Sequence, residues 1–198
     1  PDAFSIAEEC LSLSLEGVQP FQSVPYPSAP NLWITVLQSP WQGLRLVGSH
    51  ETLIKFWHLL TEAGVPCVGE RAWNTRRIEL GYPLSGSELN EEHNPWEAGL
   101  AQAIHMNKGC YIGQEVIARL DTYDKIKQHL VGITCEADSP PDTGTVLLAE
   151  EKPVGTVTSG VYSPAFGPIA LAYVRRNYCK PDTVLKLAES SHCCRVQS

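Results

Sequence analysis

The sequence holds 198 residues, 43% hydrophobic and 19% charged, with a formal net charge of −7. That apolar share supplies a core for one large domain or two small ones. The acidic balance argues against a nucleic-acid partner, which needs a basic face, but leaves room for a local basic cleft toward a small anion. No apolar run approaches the ~18 residues of a membrane span. The opening Pro1-Asp2-Ala3-Phe4 carries neither a starting Met nor a signal-peptide pattern, as expected of a processed or truncated chain.

Along the chain, the first stretch mixes short apolar runs with Pro20, Pro25, Pro27, Pro30 and Pro40. Leu32–Leu37 and Leu44–Val47 have strand character, separated by a Pro40–Gly43 turn. Ser49 suits an N-cap for a helix through Leu53, Phe56, Trp57 and Leu60, which Gly64 and Pro66 stop. A second helix is expected over Glu70–Glu79, before the breaker Gly81-Tyr82-Pro83. A third is expected from Asn94-Pro95, with Trp96, Leu100 and Ile104 on one face and Gly109 at its end.

From His129 onward the texture is β-rich: His129–Cys135, Thr145–Ala149, Val154–Ser159, Ile169–Val174 and Thr183–Leu187, punctuated by Pro and Gly. Short strands with tight turns predict a small antiparallel barrel or sandwich. The expected fold class is α+β, divided into domains 1–124 and 125–198.

The seven cysteines, Cys10, Cys67, Cys110, Cys135, Cys179, Cys193 and Cys194, are scattered and include no CxxC pair. Reduced thiols in an intracellular or organellar compartment are the simplest account, and no metal site is expected. Cys193-Cys194 beside His192 suits a flexible polar tail better than a metal ligand pair.

The most informative run is Lys108-Gly109-Cys110-Tyr111-Ile112-Gly113-Gln114-Glu115. Its two glycines permit a tight turn and close approach to a ligand or another backbone. Between them lies a thiol, with an ammonium two residues earlier and a helix start soon after, both of which favour thiolate. Spacing alone leaves Cys110 open between a packing residue and a nucleophile, and neither His93 nor His105 is placed beside it by any pattern.

This run resembles the K-G-C-Y-x-G-Q-E signature of the YgfZ family, relatives of the glycine-cleavage T-protein. Upstream, Arg77-Ile78-Glu79-Leu80-Gly81-Tyr82-Pro83 with Gly86 resembles the R-x-E-x-G-x-P-x-x-G stretch, and Asn94–Leu100 resembles the P-x-E-A-G-L helix. Ile117–Leu120 with Thr122-Tyr123-Asp124 looks like the plant and algal plastid branch. The resemblance implies the C-terminal part of a folate-binding, aminomethyltransferase-like domain followed by a β-barrel. It implies tetrahydrofolate as cofactor, with Glu79 hydrogen-bonding the pterin as a carboxylate acceptor. Arg77 then either pairs locally or faces the glutamyl tail; Tyr111, Gln114 and Arg119 join the cofactor-binding set, Arg119 by orienting the loop. Cys110 carries the expectation of function, with Lys108 beside it.

The family's preceding stretch, with its aspartate near the reacting folate nitrogen, has no counterpart in Pro1–Ser49. Through its Lys-Gly-Cys-Tyr signature, the resemblance implies a tetrahydrofolate-binding factor for iron–sulfur cluster assembly or repair, with assembly or client proteins as partners. A cluster needs several thiolates, so a partner must share its ligands with Cys110. The alternatives are a structural subunit of a larger assembly and a one-carbon (aminomethyl) transferase. An organellar location is expected, chloroplast ahead of mitochondrion.

Overall fold

The computed structural model describes residues 3–37, 42–106, 108–122, 126–188 and 190–197. The chain forms two compact units, Pro1–Gly69 and Glu70–Ser198. The change of texture near residue 125 marks the passage from helix and loop to barrel strands, whereas the division by compactness falls at Gly69.

The first unit begins with helix α1, Ala3–Leu11. A three-stranded antiparallel sheet follows, β1 (Ser23–Tyr26), β2 (Ala29–Leu37) and β3 (Gly43–Val47), with β2 in the centre. Alternation along β2 buries Leu32, Ile34 and Val36 while Trp33 stays exposed, the period-two signature of a half-covered sheet. Pro25, which has no N–H to donate, sits on the edge strand β1. Helix α2 spans His50–Glu62, and its Ser49 cap accepts from the Thr52 amide at 3.4 Å. Phe56 and Leu60 join the core with Leu11, Leu13 and Leu15. The Phe56 ring meets Tyr26 edge-on at 5.0 Å, and the Tyr26 hydroxyl donates to the Leu11 carbonyl at 2.9 Å.

The second unit opens with α3, Glu70–Glu79, and carries α4, Gln114–Thr122. Between them the expected third helix is absent. The Asn94 side chain accepts from the Trp96 and Glu97 amides, and a single turn follows. Gly99 then takes φ +72, and only a short 3₁₀ helix, Ala101–Ala103, succeeds it. The left-handed glycine ends the helix that Pro95 starts.

Six strands form a closed antiparallel barrel: β4 (Gln128–Cys135), β5 (Val146–Ala149), β6 (Lys152–Ser163), β7 (Gly167–Arg175), β8 (Val184–Leu187) and β9 (Cys193–Val196). Their spatial order is β4-β7-β6-β5-β8-β9, closed by β4 against β9. Cys193-Cys194 thus lies in a strand rather than the expected flexible tail. The reason is long-range: β9 pairs with both β4 and β8, giving an otherwise short polar run its backbone partners. Ile133, Leu147, Val157, Ala172 and Leu185 fill the barrel. The other face of β7 is covered too, since Ile169 and Leu171 pack on Ile78 of α3. Coverage on both faces explains the unbroken buried run Ile169–Val174.

Candidate functional site

Helix α3 is fixed to the barrel by a buried polar network. The Arg77 guanidinium donates to Glu88 Oε2 at 3.0 Å, Ser159 Oγ at 2.8 Å, Asn74 Oδ1 at 2.7 Å and the Tyr82 carbonyl at 3.2 Å. Glu88 also accepts from the Ser159 and Thr158 hydroxyls at 2.5 and 2.7 Å, and from the Leu84 amide at 2.9 Å. Arg77 therefore displays the local pairing that the sequence left open, and its donors are spent inside the protein.

That clamp presents the neighbouring Glu79 along the wall of a cleft of about 680 Å³, with Leu80, Leu130, Ile133, Phe166 and Ile169 among its lining. Ser163 Oγ donates to Glu79 Oε1 at 2.7 Å, and Arg76 donates to Oε2 at 2.9 Å. The direction of the serine bond is set by its surroundings. Ser163 Oγ already accepts from the Ala165 and Phe166 amides, so its single proton goes to the carboxylate. The Ser163 hydroxyl first, then the Arg76 guanidinium, hold Glu79 below the usual carboxylate range, against the opposing effect of burial. The result is an ionised acceptor beside an apolar wall, with each oxygen keeping a lone pair for a further donor. This pair of acceptor oxygens fits the N–H edge of a pterin.

The glycine-bounded loop forms a separate feature. Lys108, Cys110 and Tyr111 are exposed, and the Lys108 ammonium lies 4.9 Å from the Tyr111 ring centroid. Gln114 turns back to accept from the Tyr111 amide at 3.3 Å, closing the turn into α4. The Trp96 indole donates to the Ile117 carbonyl at 3.1 Å, tying α4 to the Asn94 turn. Tyr111, Gln114 and Glu115 line shallow depressions of about 320 and 280 Å³ on this loop. Arg119 is exposed in the last turn of α4. The structure brings Lys108, Cys110, Tyr111 and Gln114 together on one loop and Arg77 with Glu79 on α3, and neither the Glu79 cleft nor the two loop depressions is lined by both sets.

His93 is engaged elsewhere. Its ring stacks on Tyr173 at 3.6 Å between centroids, and its Nδ1 lies 3.1 Å from the Gln128 amide nitrogen. Burial, then the charges of Glu88 and Glu97, push the Tyr173 hydroxyl up to about 12, keeping it a neutral donor to the Glu88 carbonyl at 2.9 Å. Among the described residues there is no group of three or more His, Cys, Asp or Glu side chains able to hold a metal ion. Sequence reasoning missed Ser163 and Glu88, both joined to α3 from more than ten residues away, and Glu88 carries no periodic signal.

Comparison with known proteins places these features in a family. Residues 42–108 match the GCVT N-terminal domain, and residues 128–192 match the glycine cleavage T-protein C-terminal barrel domain. A chloroplastic protein of Arabidopsis thaliana, named as a transferase, is 39% identical over 136 residues, covering 68% of this chain and 31% of that protein. The aminomethyltransferase of Prosthecochloris aestuarii is 32% identical over 179 residues, 86% of this chain and 49% of its own. A crystal structure of the glycine cleavage system aminomethyltransferase T from Bartonella henselae superimposes with a TM-score of 0.84 at 22% identity, over all of this chain and 56% of that one. The chain thus spans about a third to a half of the curated relatives it matches.

Proposed function

Because the chain carries two domains of the glycine cleavage T-protein family, one aminomethyltransferase-like and one the C-terminal barrel, we propose that it binds tetrahydrofolate and serves iron–sulfur protein maturation. The observation that carries the folate assignment is the ionised Glu79 carboxylate, held by Ser163 and Arg76 on the wall of an apolar cleft. Tetrahydrofolate would supply the pterin N–H donors, and its ring would lie along the apolar wall. Tyr111, Gln114 and Arg119 lie on the other feature and would contact the cofactor through the remainder of the folate site.

The maturation role rests on Cys110. Its exposure on the loop that leads into α4 suits a thiol offered to a partner protein. One thiol cannot complete a cluster, so the iron–sulfur protein or its assembly factor would provide the other ligands. The YgfZ-like Lys-Gly-Cys-Tyr run supports this branch, and the chloroplastic relative supports a plastid location.

Aminomethyl transfer to folate is a second reading, favoured by the names of the relatives. The two separate on Cys110→Ala. Under the maturation reading, cells carrying this variant lose activity of iron–sulfur enzymes while tetrahydrofolate affinity stays within twofold. Aminomethyl transfer by the wild-type protein, unaffected by Cys110→Ala, would establish the transferase reading instead.

A further inference from the structure

Two thiols that play no part in the proposed site meet across the seam that closes the barrel. Cys135 is the last residue of β4, Cys194 lies in β9, and the two are direct antiparallel partners. The hydrogen bonds on either side fix the kind of pairing. The Glu136 amide donates to the Cys193 carbonyl at 2.8 Å and the Gln197 amide to the Gly132 carbonyl at 2.9 Å. Counting inward from both bonds, Glu136–Cys193, Thr134–Arg195 and Gly132–Gln197 are the hydrogen-bonded positions. Cys135–Cys194 therefore falls at a non-hydrogen-bonded position, where Cα atoms approach to roughly 4.5 Å and side chains stand closest. That separation lies inside the range a disulfide spans.

We infer that Cys135 and Cys194 are a dithiol–disulfide site whose oxidation staples β4 to β9. Both thiols are buried and belong to the barrel core. The two sulfurs are unequal. The hydrogen bond from the Cys194 thiol holds Cys135 below the ordinary cysteine value, while the same bond, then burial, pushes Cys194 up. Cys135 is accordingly the attacking sulfur. It is also the accessible one, because it ends its strand and the next residue, Glu136, is exposed. The other thiols are less well placed. Cys179 donates to the Val174 carbonyl at 3.1 Å, and Cys193, adjacent to Cys194, points to the opposite side of its strand.

With a low-molecular-weight disulfide as oxidant, the Cys135 thiolate attacks one sulfur of glutathione disulfide and releases one glutathione thiolate. Cys194 gives its proton to that thiolate and attacks the Cys135 sulfur, expelling the second glutathione. Two protein thiols are oxidised and one disulfide is reduced to two thiols. The consequence reaches the Glu79 cleft, since Leu130–Thr134 of β4 and Gln197 beyond β9 line it. The inference itself does not depend on folate binding.

The test treats the fully reduced chain with glutathione disulfide, blocks remaining thiols with N-ethylmaleimide and maps the cross-links by fragmentation mass spectrometry. The expected product is an intramolecular Cys135–Cys194 link, reversed by dithiothreitol, with an unfolding midpoint several degrees above that of the reduced chain. A chain in which Cys135 and Cys194 both stay reduced overturns the inference, as does a vicinal Cys193–Cys194 link. Because the mapping is done on the wild-type chain, it does not depend on any cysteine variant folding.

Discussion

Arg77 and Glu88 form an ion pair of 3.0 Å with no more than 2% of either side chain exposed. Removing two charges from water is costly, and Coulomb attraction repays it only where the remaining donors and acceptors are also satisfied. Here they are, through Ser159, Thr158, Asn74 and the Leu84 amide. Removing one member strands the other. Glu88→Gln is expected to destabilise the chain by about 3 kcal/mol. Urea unfolding monitored by tryptophan fluorescence measures this, and a loss under half that size would show that the network relaxes around a lone guanidinium.

Ser163 sets the charge state of Glu79. In Ser163→Ala the largest cause of the lowered pKa disappears, so the Glu79 carboxyl should titrate closer to the ordinary glutamate value. The sign for stability follows from a depressed folded-state value. The Glu79 contribution is fully present above the ordinary glutamate value and is lost as pH falls through its lower folded value. The stability gap between wild type and variant should be constant near neutrality and close in acid, where both carboxyls are protonated. Carbon-detected NMR titration of Glu79, paired with denaturation at several pH values, checks both statements.

Gly155 of β6 pairs with Val174 of β7. A Cβ there would lie 2.6 Å from the Tyr173 carbonyl oxygen and 3.0 Å from a Val174 methyl. The obstruction is backbone and cannot swing aside, so Gly155→Ala should cost about 1–3 kcal/mol through a forced shift of the ladder. An unchanged denaturation midpoint would mean that the two strands part without penalty.

Trp96 tethers the Cys110 loop from a distance. Trp96→Phe keeps an aromatic side chain but removes the indole donor to the Ile117 carbonyl, a hydrogen-bond loss of about 1 kcal/mol. Its effect should concentrate in α4, as faster amide exchange over residues 114–122 with barrel amides unchanged. Uniform acceleration across the second unit would assign Trp96 to general packing instead.

Local signals were legible where the sequence decides the outcome locally. Ser49 marks the start of α2, the α3 bounds follow from Glu70 and the Gly81-Tyr82-Pro83 breaker, and short β-rich runs bounded by Pro and Gly trace five of the barrel strands. The failures have two causes, remote strand pairing and a local turn of the backbone. β9 is a short cysteine-containing run whose strand identity comes from Thr134 of β4, remote in sequence, as well as from the neighbouring β8. The third helix was overread because apolar spacing at Trp96, Leu100 and Ile104 outlasts the backbone, which Gly99 turns aside. At the site, the sequence singled out Glu79 through its motif. It could not supply Ser163, whose bond to Glu79 spans 84 positions and exists only once the barrel closes. Arg77 sits in the same motif, yet its partners Glu88 and Ser159 come from a loop and a strand that no local pattern links.

The measurement that bears most directly on the central claim is calorimetric titration of the protein with tetrahydrofolate, wild type beside Glu79→Gln. This substitution preserves shape and removes the charge that a pterin N–H edge would meet, a charge-assisted hydrogen bond of about 1.5–3 kcal/mol. Saturable binding by the wild type, weakened at least tenfold in a variant that remains folded, is the predicted result. Equal affinity in both proteins would contradict the assignment of Glu79, and absence of binding by the wild type would contradict the folate reading itself.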